Sequence, residues 1–249
     1  MRISAISDVH VKKPHDDADR LLSQFFDHPL VQSSDYIVLL GDIFDLMCGP
    51  HEEYLYLYDH LFRKIDSLLK QNKKVLFHEG NHDVHLEKLF RGFWPKGEIV
   101  PSQAPLIFEI DGKKYYFSHG DEHEVDNLAY QKYKRLIYSG PLKFVANNVM
   151  PYGLLNFIGE RASMRSRKKG SKAFDEIKVR DRFRSGVQET TKGEYDFILG
   201  GHSHVKDQFA LNEHSLYLNN GYALKSKTFI FIENHVPRFE ELRSNRAGP

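Results

Sequence analysis

The sequence predicts a layered α/β protein. Three observations carry that expectation: short apolar runs of β type, helical periodicity between the early runs and hairpin-like pairing of the late ones, and polar, glycine-bearing turns at the strand ends. Arg2 to Ser7 is the first strand, and Asp8-Val9-His10 follows it. Asp17 to His28 reads as a helix with Leu21, Leu22, Phe25 and Phe26 on one face. Asp35 to Leu40 is a buried strand ending at Gly41-Asp42. Glu53 to Gln71 is predicted as one helix, with Leu57, Leu61, Ile65 and Leu68 on its apolar side. Lys74 to His78 is a strand that runs into Glu79-Gly80-Asn81-His82-Asp83. Leu106 to Ile110 and Lys114 to Ser118 form a hairpin around Asp111-Gly112, whose second strand runs into His119-Gly120-Asp121. Glu122 to Gly193 is a long stretch with helical patterning. Asp196 to Leu199 is a strand ending in Gly200-Gly201-His202-Ser203-His204. Runs at Gln208 to Leu211 and Ser215 to Asn219 pair next, and Thr228 to Glu233 is expected to close the sheet. The tail 243–249 has nothing to pack with and is expected to fray.

Composition narrows the function classes. The chain has 249 residues, 41% hydrophobic and 28% charged, as ordinary globular proteins do. No window reaches the roughly 18 apolar residues of a membrane span. The formal charge of +1 does not signal a nucleic-acid binder. The single cysteine, Cys48, excludes an intrachain disulfide and CxxC zinc sites, and it is expected to be buried packing. Met1 to Ile6 leads straight to Asp8 without a leader-type apolar stretch, so a cytoplasmic location is expected.

The polar strand ends form a pattern. Asp8 and His10, Asp42 and Asp45, Asn81 and His82, His119, then His202 and His204 each follow a predicted strand. In open α/β sheets ligands bind at that edge. Any one of these groups would pass as a polar turn, but a turn explanation does not account for all of them in succession. The donors are carboxylate and imidazole, with no thiolate, which suits Mn²⁺, Fe or Zn²⁺. A carboxylate such as Asp42 can bridge two ions roughly 3.5–4 Å apart, and such a pair serves phosphoryl chemistry by neutralising phosphate charge and acidifying water.

Asp8-x-His10, Gly41-Asp42-x-x-Asp45, Gly80-Asn81-His82-Asp83, His119-Gly120 and Gly201-His202-x-His204 together resemble the signature of the calcineurin-like metallophosphoesterases. The resemblance implies a four-layer αββα sandwich and a dinuclear centre. It implies that Asp8, His10, Asp42 and His204 hold one ion and Asp42, Asn81, His119 and His202 the other. It places His82 beside the phosphate as catalytic acid or stabiliser, has Asp83 orient His82 as a second catalytic residue, and puts Asp45 behind the ligands. Two divalent ions are expected, Mn²⁺ first, with Fe, Zn²⁺ or Mg²⁺ as alternatives.

Between His119 and Gly201 lie 81 residues, more than a helix and a strand need. The expected organisation is a core of 1–121 and 194–242 with a helical cap inserted at 122–193. From Lys132 to Arg182 there are 13 Lys and Arg against 4 Asp and Glu, a net charge of +9. Apolar stretches such as Leu136-Ile137-Tyr138, Phe144-Val145 and Leu154-Leu155 run between the charges, broken by Pro141 and Pro151, and a basic run follows from Arg161 to Lys172. Such a cap suits a lipid-bearing anionic ligand or an anionic membrane surface, or else a self-packed cap with a solvated basic face. Aromatics do not alternate with the basic residues as a nucleic-acid stacking groove requires, so no nucleic-acid partner is expected. The cap and its text, Ala129-Tyr130-Gln131-x-Tyr133 and Arg161-Ala162-Ser163-Met164-Arg165-Ser166 with Lys168 to Lys172, resemble the UDP-2,3-diacylglucosamine pyrophosphohydrolases of lipid A synthesis. The resemblance implies release of UMP from a lipid-linked nucleotide, with Tyr130, Arg165, Lys168, Lys169 and Lys172 as substrate contacts; because a two-chain lipid must be drawn from a bilayer, peripheral contact with the cytoplasmic membrane face is expected. The best-known branch of that group carries Arg where this chain has His82. The alternatives are a phosphodiesterase or phosphatase on another phosphoester, and a non-catalytic scaffold of the same fold.

Overall fold

A computed structural model describes residues 1–159, 161 and 174–242. Its first sheet is built from β1 (Arg2–Ile6), β2 (Tyr36–Leu40) and β4 (Lys74–His78) as parallel neighbours, with β11 (Thr228–Glu233) and β12 (Val236–Glu241) added antiparallel beyond β1. The second sheet runs in the order β6 (Leu106–Ile110), β7 (Lys113–Phe117), β8 (Phe197–Gly200), β10 (Leu216–Asn220), β9 (Lys206–Ala210). Two short strands, β3 (Met47–Cys48) and β5 (Asp83–Val84), pair separately.

The side-chain period of two decides how these sheets stack. Ile3, Ala5, Val38, Leu40, Ile230 and Ile232 leave one face of the first sheet and meet Ile110, Tyr115, Phe117, Phe197, Leu199 and Leu218 of the second. The alternate residues Ile6, Ile37, Leu39, Phe229 and Phe231 point the other way. There they are covered by α1 (Asp17–Asp27), α4 (Asp59–Lys70) and α5 (Glu87–Phe93), with the short α2 (Pro29–Gln32), α3 (Glu52–Leu57) and α10 (Ala223–Ser226) at the edges. The outer face of the second sheet, Tyr116, Ile198 and Tyr217, is covered by Val187 of α9 (Glu176–Thr191). The layers are therefore helix, sheet, sheet, helix, as the resemblance implies. The remaining helices, α6 (Leu128–Ile137), α7 (Gly140–Asn148) and α8 (152–159), stand over the strand ends of the first sheet. Of the stretch expected as a cap, α9 thus serves as an outer layer of the sandwich, and α6 to α8 form the part that projects from it.

Two element expectations need correction. The predicted helix over Glu53 to Gln71 breaks at Tyr58, which is neither helical (φ −113°, ψ 21°) nor exposed. Its hydroxyl donates to the Lys12 carbonyl at 3.2 Å and its ring packs on Phe44. The break frees α3 and α4 to bury Tyr54 and Leu61 independently, and it leaves Leu57 39% exposed rather than on the apolar face. Thr228 to Glu233 also does not close its sheet. Asn234 and His235, both in the left-handed region, turn the chain into β12 as the edge. Asn-His makes this two-residue turn without the glycine that marks such turns in a sequence. Pro237 and charged residues on β12 blunt the exposed edge.

Candidate metal centre

The loops after β1, β2, β4, β7 and β8 converge at one end of the two sheets. Their backbones are unusual. Asp8, His10, Asp42, His202 and His204 all have φ between 51° and 64°, a region that non-glycine residues rarely enter and that costs about 1 kcal/mol or more each. Glycines stand where loops touch. A Cβ on Gly80 would lie 2.2 Å from an Asp42 carboxylate oxygen, and one on Gly201 would lie 2.5 Å from Asp8 Oδ2. The approach that brings the carboxylates together is thus open only to glycine at these positions.

The ligand atoms of Asp8, His10, Asp42 and His204 all lie within 4.8 Å of one another, and so do those of Asp42, His119 and His202. Asp42 belongs to both groups. In the first, His10 Nε2 is 3.2 Å from His204 Nε2 and 3.7 Å from Asp42 Oδ2, and Asp8 Oδ1 is 3.3 Å from His204 Nε2. In the second, His119 Nε2 is 3.2 Å from His202 Nδ1, 3.3 Å from Asn81 Oδ1 and 3.5 Å from Asp42 Oδ2. All seven residues singled out as metal ligands are thereby brought together in two sets that share a carboxylate.

The hydrogen bonds around the sets test whether they suit cations. His119 Nδ1–H donates to the Leu40 carbonyl at 2.9 Å, which leaves Nε2 as the electron pair facing Asn81, Asp42 and His202. Each set therefore gathers lone pairs and carboxylate oxygens at 3.2–3.7 Å, an arrangement that a divalent ion satisfies. Titration behaviour agrees. Burial opposes the charge on Asp42, but His119, His82 and His10 more than offset it and hold its carboxyl well below the usual range. The same contest, won by His204 and His119, lowers Asp8. Burial opposes the charged form of His119, yet Asp42 and Asp8 raise it well above an ordinary imidazole. Burial, aided by the charge of His119, pushes His202 down to about 4. The residues fit two divalent ions.

His82 donates Nδ1–H to the backbone carbonyl of Asp45 at 2.7 Å, and its ring meets that of His10 edge-on at 4.9 Å. This corrects the role expected of Asp83. That carboxylate does not orient His82. It is fully buried and accepts backbone N–H groups from Gly80 (2.7 Å), Asp42 (3.0 Å), Ile43 (2.7 Å) and Phe44 (3.3 Å). Burial and the neighbouring Asp42 push it up to about 7 against the pull of these donors. Asp83 clamps the loop of Asp42 to the loop of Asn81 and has no access to substrate. Asp45 lies behind the ligands as expected, with Oδ1 3.5 Å from His10 Nδ1.

The sequence did not single out the groups that hold the centre from behind. Glu124 places Oε1 3.8 Å from His202 Nε2 and is itself bound by Arg182 of α9 at 2.7 Å and by Asn127 at 2.6 Å. The arrangement keeps His202 Nδ1 turned toward His119. Tyr138 of the projecting helices donates to the Gly80 carbonyl at 3.0 Å, and His85 Nε2–H reaches the Ile137 carbonyl at 3.0 Å. Only the acidic run after Gly120 hinted at Glu124.

Among the expected substrate contacts, Tyr130 lies beside the centre, its ring 5.0 Å from that of His202 and its hydroxyl donated to Asp121 at 2.9 Å. Arg165, Lys168, Lys169 and Lys172 lie outside the described residues. A cavity of about 630 Å³ opens from Asp45, Asn81, His82 and Tyr130 and runs between α6, α7 and α8, where Leu142, Val145, Ala146, Met150 and Leu155 line it. Cys48 is buried in its wall, its thiol pushed up to about 12 by burial and by Glu79.

Comparison with known proteins identifies the family. A family model for the calcineurin-like phosphoesterases matches residues 1–206. The chain is 24% identical over 205 residues to the UDP-2,3-diacylglucosamine hydrolase of Psychromonas ingrahamii, covering 82% of this chain and 81% of that one. It is 25% identical over 203 residues to the protein of the same name from Histophilus somni, covering 81% and 83%. A solved archaeal phosphodiesterase superposes with a TM-score of 0.49 at 14% identity, covering 96% of this chain and 99% of that one. This chain belongs to the calcineurin-like phosphoesterase family and is a metal-dependent phosphoester hydrolase.

Proposed function

We propose that the chain hydrolyses the pyrophosphate of UDP-2,3-diacylglucosamine to UMP and 2,3-diacylglucosamine 1-phosphate. The observation that carries the reading is the apolar cavity of about 630 Å³ that begins at Asn81 and His82 and continues under the projecting helices. A phosphate at the centre and apolar chains in such a cavity belong to one amphiphilic molecule, and each buried methylene is worth about 0.8 kcal/mol. The names of relatives that match over four-fifths of both chains support the same substrate.

Asp8, His10, Asp42 and His204 would hold one ion, and Asp42, Asn81, His119 and His202 the other. When bound, two divalent ions supply charge neutralisation at the phosphate and an acidified water. The rest falls to the chain. The Asp45 carbonyl fixes the Nδ1 proton of His82 and leaves Nε2 for the substrate. There His82 acts on the oxygen bridging the two phosphorus atoms, as acid or as stabiliser of its charge, while water adds at the α-phosphorus and the bridging P–O bond breaks, so that UMP and the sugar 1-phosphate separate. Tyr130 stays neutral, because burial and Asp121 raise its hydroxyl, and it donates that hydrogen to Asp121.

Exposed Lys132 and Arg135 on α6 stand among exposed Leu128, Leu136 and Phe144, a mixture that suits an anionic bilayer surface. Among the described residues no helix is long and apolar enough to cross a membrane. Peripheral contact with the cytoplasmic membrane face follows from the reading, since a two-chain lipid must be drawn from a bilayer. Flotation with anionic liposomes at low salt tests that contact, and its failure there would refute it.

The test of the activity is UMP release from UDP-2,3-diacylglucosamine with Mn²⁺, read by mass spectrometry against Asp42→Ala, with bis-p-nitrophenyl phosphate in parallel. Rapid UMP release that vanishes in the variant is expected. Turnover of the aryl diester alone would keep the metal centre and overturn the lipid substrate.

A further inference from the structure

A second cluster of ligand side chains lies on the helical layer over the first sheet. It joins His15, in the loop before α1, to Asp19 in the first turn of α1 and His60 on α4. We propose that these three residues hold an additional divalent cation of the zinc kind, separate from the candidate centre.

The donors come from three different elements, and one atom of each lies within 4.8 Å of the others. Asp19 has a buried side chain, only 2% exposed, and among the described residues its ion pairs are with the two imidazoles. Its oxygens lie 2.8 and 2.9 Å from His60 Nε2, and Oδ2 lies 3.9 Å from His15 Nδ1. Bonds to zinc of about 2.0–2.2 Å separate tetrahedral ligands by about 3.4 Å. The two spacings to Asp19, 2.8 and 3.9 Å, bracket that value, and a nitrogen of each imidazole lies within 4.8 Å of the other, so small side-chain shifts bring three ligand atoms to zinc spacing.

A plain ion pair between Asp19 and His60, with the His15 backbone N–H donating to Asp19 Oδ2, explains how the three residues meet but not why the His15 ring turns toward His60. The backbone of His15 is left-handed, at φ 63°, and its ring lies 5.3 Å from that of His60 at 30°. Its Nδ1, at 3.9 Å, is beyond hydrogen-bond reach of the carboxylate yet within ligand spacing. Two imidazoles and a carboxylate are a borderline donor set that favours Zn²⁺, Co²⁺, Ni²⁺ or Cu²⁺ over Mg²⁺ and Ca²⁺. With His15 82% and His60 33% exposed, the ion has an entry path and a water for its fourth position. An ion here fastens the loop that follows His10 to two core helices.

The test counts bound zinc by inductively coupled plasma mass spectrometry after equilibrating the full chain with low-micromolar zinc chloride and desalting. The wild type is expected to retain one equivalent more than His15→Gln, and one more than His60→Gln. Because His15 is exposed, its substitution leaves folding untouched. Asp42→Ala loses zinc at the candidate centre but is expected to keep the His15-dependent equivalent. The readout is a difference between variants, so it does not depend on how many ions the candidate centre takes. Equal zinc in the wild type and His15→Gln would overturn the proposal.

Discussion

Acid destabilises this fold through a histidine that never meets substrate. His78 ends β4, the strand that delivers Asn81 and His82 to the centre, and it is 2% exposed. Its Nδ1–H donates to the Glu79 carbonyl at 2.8 Å, while Nε2 is buried and has no hydrogen-bond partner among the described residues. Burial, only partly countered by Glu122, pushes it from 6.5 down to about 4. A base whose folded value is depressed stabilises the fold above its unfolded value and withdraws that stability as pH falls toward the folded one. His78 therefore takes up its proton on unfolding between about pH 6.5 and 4. Integrating over pH 7.5 to 4.5 gives a loss of about 2.5 kcal/mol from this one group. His78→Asn keeps a donor near the position of Nδ1 but cannot titrate. Urea denaturation of both proteins across that range, at constant ionic strength, is the assay. The variant is expected to be the less stable at pH 7.5, by roughly 1–2 kcal/mol for lost packing, and to become the more stable of the two by pH 4.5. Parallel stability curves for the two proteins would refute the reasoning, because a histidine already protonated in the folded state, or paired at Nε2, would show no such difference.

Three further outcomes follow from the same geometry. Asp83→Ala releases the N–H groups of Gly80, Asp42, Ile43 and Phe44, so manganese affinity measured by calorimetry is expected to fall at least tenfold; an unchanged affinity would remove the clamp role. Glu124→Ala frees the far nitrogen of His202 and unseats Arg182, and it is expected to weaken metal binding about 10–100-fold; binding equal to wild type would show that the 3.8 Å approach orients nothing. Ala146→Phe fills the cavity wall, so UMP release from the diacyl substrate is expected to drop more than tenfold while bis-p-nitrophenyl phosphate turnover stays within twofold; equal losses on both substrates would mean that the cavity does not receive the chains.

The ligands were legible in the sequence because each sits within a few residues of the strand that aims it. Asp8 and His10 follow β1, and His202 and His204 follow β8, so a strand and its turn already state where the donors go. The two-sheet stack was legible for the same local reason, since alternation along β1, β2 and β11 assigns every side chain to one face or the other. What depended on distant partners was not. Asp83 looked like an orienting group because it is the sequence neighbour of His82, yet its partners are the backbone N–H groups of Gly80 and of residues 42–44, the latter brought to it by the parallel pairing of β2 with β4. Tyr58 fits a continuous helix by its neighbours and breaks it because the Lys12 carbonyl takes its hydroxyl. Glu124 is one acid in an acidic run until Arg182, 58 residues on, turns it toward His202. Positions that name the chemistry are thus written in turns, and positions that orient it are written in packing. The proposed substrate belongs to the second kind: the seven ligand side chains would serve any phosphoester, and the feature of the fold that favours a lipid is the cavity bounded by α6 to α8.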